Sequence, residues 1–188
     1  EIGEHLTETD QARAGFIKIA CEETLEKSPM HLLEAAIMAS QATGVALEVH
    51  TEKGADADRI ARALIDFGLP PTRLVLCHMD KRVDDTLHRA LAQEGIMLEY
   101  DTFFRPKYQP DAHVWPLLAR LIEAGFAAQI ALATDMAEKE MWSSMGQGPG
   151  LTGLIAQIVP RLRAIGCDEA TVHKLTGENI SYRLAYSC

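Results

Sequence analysis

Four apolar segments, each carrying one side chain able to bind a metal, constrain this chain most strongly. Apolar, β-branched runs of this length predict buried strands. An ammonium group inside such a strand is costly unless it is paired, neutralised or bound. The segments and their polar residues are 16–20 with Lys18, 45–50 with His50, 74–78 with His78, and 130–135 with Asp135. They predict one metal site assembled from several strands.

Helical segments separate the strands. The predicted strands are 14–20, 45–50, 73–78, 96–100 and 127–134, and helices follow them at about 29–43, 56–67, 83–94, 113–124, 153–165 and 168–186. Strands that alternate with helices predict an α/β fold with a parallel sheet. Ligand-type residues at the carboxyl ends of the strands fit either a (β/α)₈ barrel or a doubly wound sheet.

Composition excludes several classes of partner. The formal net charge of −9 argues against nucleic acid and anionic membranes, since both attract a basic surface. The sequence has no apolar run of transmembrane length and no signal-peptide pattern. Its four cysteines include no CxxC pair and are typical of free thiols in a reducing compartment. We therefore expect a cytoplasmic protein that acts on a small molecule.

Short motifs along the whole chain resemble those of a known family. Each motif is short, but together, in register, they are specific. They are Ala14-Gly15-Phe16-Ile17-Lys18-Ile19-Ala20, Thr43-Gly44 before the strand that ends in His50, Cys77-His78-Met79-Asp80, Leu98-Glu99-Tyr100-Asp101, Thr134-Asp135, and Gly177-Glu178-Asn179-Ile180 with Arg183 and Leu184. In these motifs the chain resembles the phosphotriesterase-related branch of the amidohydrolase superfamily.

The resemblance implies a (β/α)₈ TIM barrel with two divalent metals at its C-terminal face. On this alignment residues 1–188 are a single domain that supplies about five βα units, strands four to eight, of a metal-dependent hydrolase. A complete barrel of this kind takes about 250 residues. We therefore expect that strands one to three belong to a longer polypeptide and that this chain is a partial barrel.

The resemblance also implies a role for each strand-end residue. Lys18 would be carboxylated and bridge the two metals. His50 and His78 would bind the more exposed metal, while Asp135 would bind the more buried one and act as the catalytic proton acceptor. Burial depresses the pKa of a lysine amine, and a neutral amine can add CO₂ to become an anionic ligand. We expect Zn²⁺ in the site, with Mn²⁺ and Co²⁺ as alternatives.

The implied activity is hydrolysis by a hydroxide that bridges the two metals. Its substrate would be a lactone, a carboxylic ester or a phosphoester, and organophosphate triesters are disfavoured because they are not common metabolites. Arg105 and Tyr108, with Lys107 between them, would contact an anionic group of the substrate. Asp80 would contact the substrate or orient a metal ligand, with a helix cap or turn as the structural alternative.

Other interpretations remain open at this stage. The family's HxH pair occurs nowhere in the sequence, which favours a non-catalytic barrel, a binding protein or an inactive fragment. A flavodoxin-like sheet of five strands would suit the chain length but gives Lys18 no role. A homodimer is a further open alternative. The remaining histidines are interpreted as surface residues: His5, His31, His88, His113 and His173.

Overall fold

Five parallel strands, hydrogen-bonded in the order in which they occur in the sequence, form the centre of the molecule. The computed structural model describes residues 2–4, 6 and 11–185. The predictions for His5, for the first residues of the chain and for a helix end at Tyr186 therefore fall wholly or partly outside the described residues. The strands are β1 (Phe16–Cys21), β2 (Ala46–Thr51), β3 (Leu74–Cys77), β4 (Met97–Tyr100) and β5 (Ile130–Leu132).

Helices follow every strand. Gly44 ends the first helix in the left-handed region, at φ 81°, where a residue without a Cβ is least strained. The helices are α1 (Met30–Thr43), α2 (Ala57–Asp66), α3 (Asp85–Gln93), α4 (Val114–Glu123), α5 (Ser143–Gly146), α6 (Val159–Ala164), α7 (Glu169–His173) and α8 (Asn179–Leu184), with π-helical turns at Leu154–Ile158 and Lys174–Glu178. None of the described helices has the length and apolar character needed to cross a membrane.

The sequential strand order confirms the barrel-type prediction. A flavodoxin-like sheet has the order 2-1-3-4-5, with a switch point where the order reverses. Here β1 pairs with β2, β2 with β3, β3 with β4 and β4 with β5, all in parallel. No reversal occurs among these five strands, so the flavodoxin-like alternative is wrong. Five successive βα units form part of a (β/α)₈ barrel.

Alternate residues along the strands face two different environments. Leu47, Leu76 and Leu98 join the large apolar cluster that includes the helices. The opposite face begins with a small apolar layer of Val75, Met97 and Ala131, against which Ile180 from α8 packs. Because side chains alternate with a period of two, the polar strand residues also point toward this inner face. The metal-binding types are therefore collected inside the curve of the sheet.

β1 is the outermost of the five described strands, and within them only β2 pairs with it, so the predicted burial of β1 is not met inside this set. Phe16 is 40% exposed, and the side chain of Lys18 is 44% exposed. In the complete barrel that the resemblance implies, a preceding strand would cover this edge.

The last helix closes the amino-terminal end of the sheet. The Asn179 amide donates hydrogen bonds to the carbonyls of Ala127 and Ile130, at 2.7 and 2.8 Å. The Arg183 guanidinium donates to the carbonyls of Pro71 and Gly95, at 3.3 and 2.9 Å. These bonds satisfy carbonyl groups just before β3, before β4 and at the start of β5. The opposite, carboxyl-terminal end is thereby left as the face available for a site.

The interpretation of His88 as a surface residue is wrong. Its side chain is fully buried on α3, where Nδ1 hydrogen-bonds the hydroxyl of Tyr100 on β4. Burial lowers the pKa of His88 to about 4. The helical spacing of His88 with Leu91 and Ala92, three and four residues on, is the sequence signal for this inward position.

The low pKa of His88 predicts a pH-dependent stability. Between pH 6.5 and about 4 the unfolded chain binds a proton at His88 that the folded chain does not. The contribution of His88 to the free energy of unfolding is therefore fully present above pH 6.5 and is lost as the pH falls toward 4. In urea titrations of the whole protein, the free energy of unfolding of wild type should fall by roughly 3 kcal/mol more than that of His88→Gln over this pH range. The exposed control His173→Gln should follow wild type. Parallel curves for wild type and His88→Gln would contradict this prediction.

Candidate metal centre

Three of the four residues predicted to bind metal meet at the carboxyl ends of the strands. His50 lies near the end of β2, His78 directly follows β3, and Asp135 follows β5 by three residues. The rings of His50 and His78 meet edge to face, with their centroids 4.6 Å apart. His78 Nδ1 lies 3.8 Å from Asp135 Oδ2. Two imidazoles and one carboxylate therefore share one small region.

Two of these residues occupy a backbone conformation that is rare for residues with a Cβ. His78 has φ 64° and Asp135 has φ 37°. Non-glycine residues with positive φ are uncommon, and such conformations concentrate at functional sites. The fold thus holds both side chains in directions that relaxed extended strands would not give.

Asp101 is a site residue that the sequence-based prediction did not include. It follows β4 directly, is fully buried, and its Oδ2 lies 2.6 Å from His78 Nδ1. Burial, with the charges of Asp80 and Asp135, raises the pKa of Asp101 to about 8, while burial lowers the pKa of His78. The lowered pKa favours the neutral form of His78. A neutral imidazole is the form that binds metal.

Asp80 fixes the strand end that carries Asp101. It is 1% exposed, and its Oδ2 accepts hydrogen bonds from the backbone amides of Asp101 and Thr102 and from the Thr102 hydroxyl, at 3.0, 2.8 and 2.6 Å. This geometry favours the predicted orienting role over a contact with substrate. The chain of contacts runs from Asp80 through Asp101 to His78.

Lys18 contacts a different set of residues from the other three predicted ligands. Its Nζ lies 3.2 Å from Glu48 Oε2 and 2.9 Å from Cys77 Sγ. Although burial alone lowers the pKa of Lys18, Cys77 and Glu48 raise it above its ordinary value. The expectation of a depressed Lys18 pKa is wrong for this arrangement, because a thiol and a carboxylate lie next to the ammonium group.

Two groups of donors could hold a divalent cation. His78, Asp101 and Asp135 each place one ligand atom within 4.8 Å of the others, and so do Glu48, Cys77 and Glu99. Burial, with the neighbouring Asp101 and Glu48, raises the pKa of Glu99 to about 8. Imidazole nitrogen with carboxylate oxygen suits Zn²⁺, Mn²⁺ or Co²⁺. The donor chemistry thus fits the metals that the sequence predicts.

The loop after β4 brings cations to the same site. Arg105 is 7% exposed; its Nη2 donates to the backbone carbonyl of Asp135 and forms an ion pair with Asp135 Oδ2, each at 2.8 Å. Lys81 and Lys107 lie over the ring of Tyr108, 5.7 and 5.3 Å from its centroid. Three positive charges and a phenol thus lie in the loops that follow β3 and β4. Lys81 was not among the predicted substrate residues, although it is three positions after His78.

Comparisons with known proteins agree with this fold and site. The sequence profile described as the phosphotriesterase family matches residues 1–184. A phospho-furanose lactonase from Mycoplasmopsis synoviae is 27% identical over 183 residues, with 94% of this chain and 52% of that protein covered. An N-acetyltaurine hydrolase from Mus musculus is 27% identical over 188 residues, covering 93% of this chain and 54% of that protein.

A solved structure has the same fold. The lactonase from Listeria monocytogenes superposes with a TM-score of 0.87 and 25% identity, covering all of this chain and 59% of that one. This chain spans about half the length of the curated relatives that it matches. The match confirms the partial-barrel prediction.

Removal of the Asp80 carboxylate separates its two predicted roles. Asp80→Ala leaves three buried donors without their acceptor, so we expect a loss of roughly 3 kcal/mol in the free energy of unfolding of the whole protein. Asp111→Ala, at a side chain that is 82% exposed, should change it by less than about 0.5 kcal/mol. Unchanged stability with an increased KM would instead identify Asp80 as a substrate contact.

Proposed function

This chain belongs to the phosphotriesterase family, and from that premise we propose that it is the C-terminal part of a metal-dependent hydrolase barrel. The convergence of His50, His78 and Asp135 at one end of the sheet is the observation that carries the proposal. In barrels of this class, active sites lie at the carboxyl ends of the strands. The relatives named as lactonases and as an amide hydrolase are consistent with such an enzyme.

The proposed ligands divide between two divalent metals, with Zn²⁺ as the first choice. His50 and His78 would hold one ion and Asp135 the other, while a carboxylated Lys18 would bridge them. Lys18 must first lose its ammonium proton, and the amine then adds CO₂ and releases a second proton to give the carbamate. When bound, two such ions lower the pKa of a shared water and polarise the electrophile.

The surrounding residues prepare these ligands and move the proton. Asp135 would accept a proton from the attacking water, because its carboxylate lies beside the metal ligands at the open end of the sheet. Asp101 holds the ring of His78 through Nδ1, which leaves Nε2 for a metal. A carboxylate behind a ligating imidazole is a common way to fix its orientation.

We propose as substrate a lactone that carries an anionic group such as a phosphate. The cations of Lys81 and Arg105, with the hydroxyl of Tyr108, lie on the loops beside the strand ends. Charged groups of this kind select phosphate or carboxylate by charge-assisted hydrogen bonds. A carboxylic ester or a phosphoester is the alternative electrophile. The cytoplasmic location and the homodimer stay predictions.

Replacement of the proposed proton acceptor tests the reaction. In the whole protein, Asp135→Asn should lower kcat/KM by at least about 100-fold on a panel containing a phosphorylated furanose lactone, the same lactone without phosphate, a phosphoester and N-acetyltaurine. The exposed control His173→Gln should retain activity. Wild-type hydrolysis by Asp135→Asn would exclude the proposed role.

Replacement of Lys81 tests the preference for an anionic substrate. Lys81→Gln should lower kcat/KM for the phosphorylated lactone by about tenfold and leave the unphosphorylated lactone unchanged, because only the former loses a charge-assisted hydrogen bond. Lys139→Gln removes the same charge at a side chain that is 77% exposed and should have no effect. Equal losses on both lactones would refute a phosphate contact.

A further inference from the structure

We propose that Arg105 is an internal competitor for the metal at Asp135, so that a metal ion must displace its guanidinium to bind there. This inference rests on the proposed function, since it assumes that Asp135 is a metal ligand. It adds a coupling between metal binding and the position of a cationic side chain that faces the substrate. The contacts of Arg105 carry the argument.

Arg105 is fixed more firmly than a surface cation. Its Nη2 binds both a side-chain and a backbone oxygen of Asp135 at 2.8 Å, and Nη1 lies 3.4 Å from Glu138 Oε1. The side chain is only 8% exposed, and its Nε is buried without a hydrogen-bond partner. A planar guanidinium can hold two acceptors in this way, whereas a lysine ammonium has no such fork.

The Asp135 oxygen that pairs with Arg105 is the same oxygen that a metal ion would need as a ligand. Asp135 Oδ2 is the oxygen 3.8 Å from His78 Nδ1, and it also forms the ion pair with Arg105 Nη2 at 2.8 Å. A divalent ion bound to this oxygen of Asp135 would therefore lie next to the guanidinium. Two cations at one partly buried carboxylate oxygen repel each other. Metal binding should thus weaken the bond between Arg105 and Asp135.

Displacement also gives Arg105 a second position. A guanidinium released from Asp135 stays near Lys81 and Tyr108, since all three lie on the loops after β3 and β4. There it can meet the anionic group of a substrate. By thermodynamic reciprocity, an anion that holds Arg105 away from Asp135 would favour metal binding, and metal binding would favour the anion.

Lys107 provides a matched control. It lies two residues after Arg105 in the same loop and carries the same charge, and it contacts Glu138 at 3.4 Å. Its side chain is 57% exposed, and it forms an ion pair with Glu138 rather than with Asp135. Lys107→Gln therefore removes one positive charge near the site without removing the bond to Asp135.

The test is the affinity of the whole protein for Zn²⁺, measured by competition with a chromophoric chelator at fixed pH. Arg105→Gln should bind Zn²⁺ about tenfold more tightly than wild type, the factor expected when one charge-assisted hydrogen bond no longer competes. Arg105→Lys keeps the charge but loses the fork, so it should bind a few-fold more tightly. Lys107→Gln should stay within about twofold of wild type.

Three results would overturn the inference. Zn²⁺ affinities of both Arg105 variants equal to or below that of wild type would show that no competition exists. A gain for Lys107→Gln as large as that for Arg105→Gln would assign the effect to net charge. Absence of Zn²⁺ binding by the wild-type whole protein would instead refute the proposed function, and the inference with it. Folding of each variant is checked by circular dichroism, and Arg105→Lys alone decides the question if Arg105→Gln does not fold.

Discussion

The parallel pairing of five successive strands is the constraint on which the candidate site depends. Because every strand runs in the same direction, every carboxyl end lies at one edge, and alternate side chains enter the concave face. Along that face an apolar layer around Val75 is followed by the layer of Lys18 and Glu48, and then by the strand-end histidines. The helices bury the other face in the main core. Position along a strand therefore determines whether a residue supports the fold or faces the site.

Buried carboxylates give the site its electrostatic character. Glu99 and Asp101 have raised pKa values because burial disfavours ionisation, as do the charge of Asp101 at Glu99 and the charges of Asp80 and Asp135 at Asp101. Asp80 offsets part of this cost through three hydrogen bonds at one oxygen. A concentration of carboxyl groups with few buried cations is unfavourable for a structural core. It is favourable for a site that holds divalent cations, which is the same conclusion that the family membership supports.

The sequence predicted the five strands and most of the helices, and it named three of the residues that converge at the strand ends, because apolar periodicity and strand-end position are local signals. It missed Asp101, although this residue directly follows a predicted strand, because a carboxylate there is equally common as a turn residue. It also missed the raised pKa of Lys18, because Cys77 and Glu48 lie on other strands and their proximity is not a local signal. The buried position of His88 could have been predicted from its helical spacing. Its contact with Tyr100 could not, because Tyr100 lies on another element.

The metal content of the whole protein tests the central claim most directly. The protein is stripped with a chelator, reloaded with Zn²⁺, desalted, and analysed for protein and metal by mass spectrometry. The account predicts two equivalents of Zn²⁺ per chain for wild type and fewer for a variant in which both His50 and His78 are replaced by Asn. A wild-type protein that retains no metal after reloading would contradict the metal centre and favour a non-catalytic barrel.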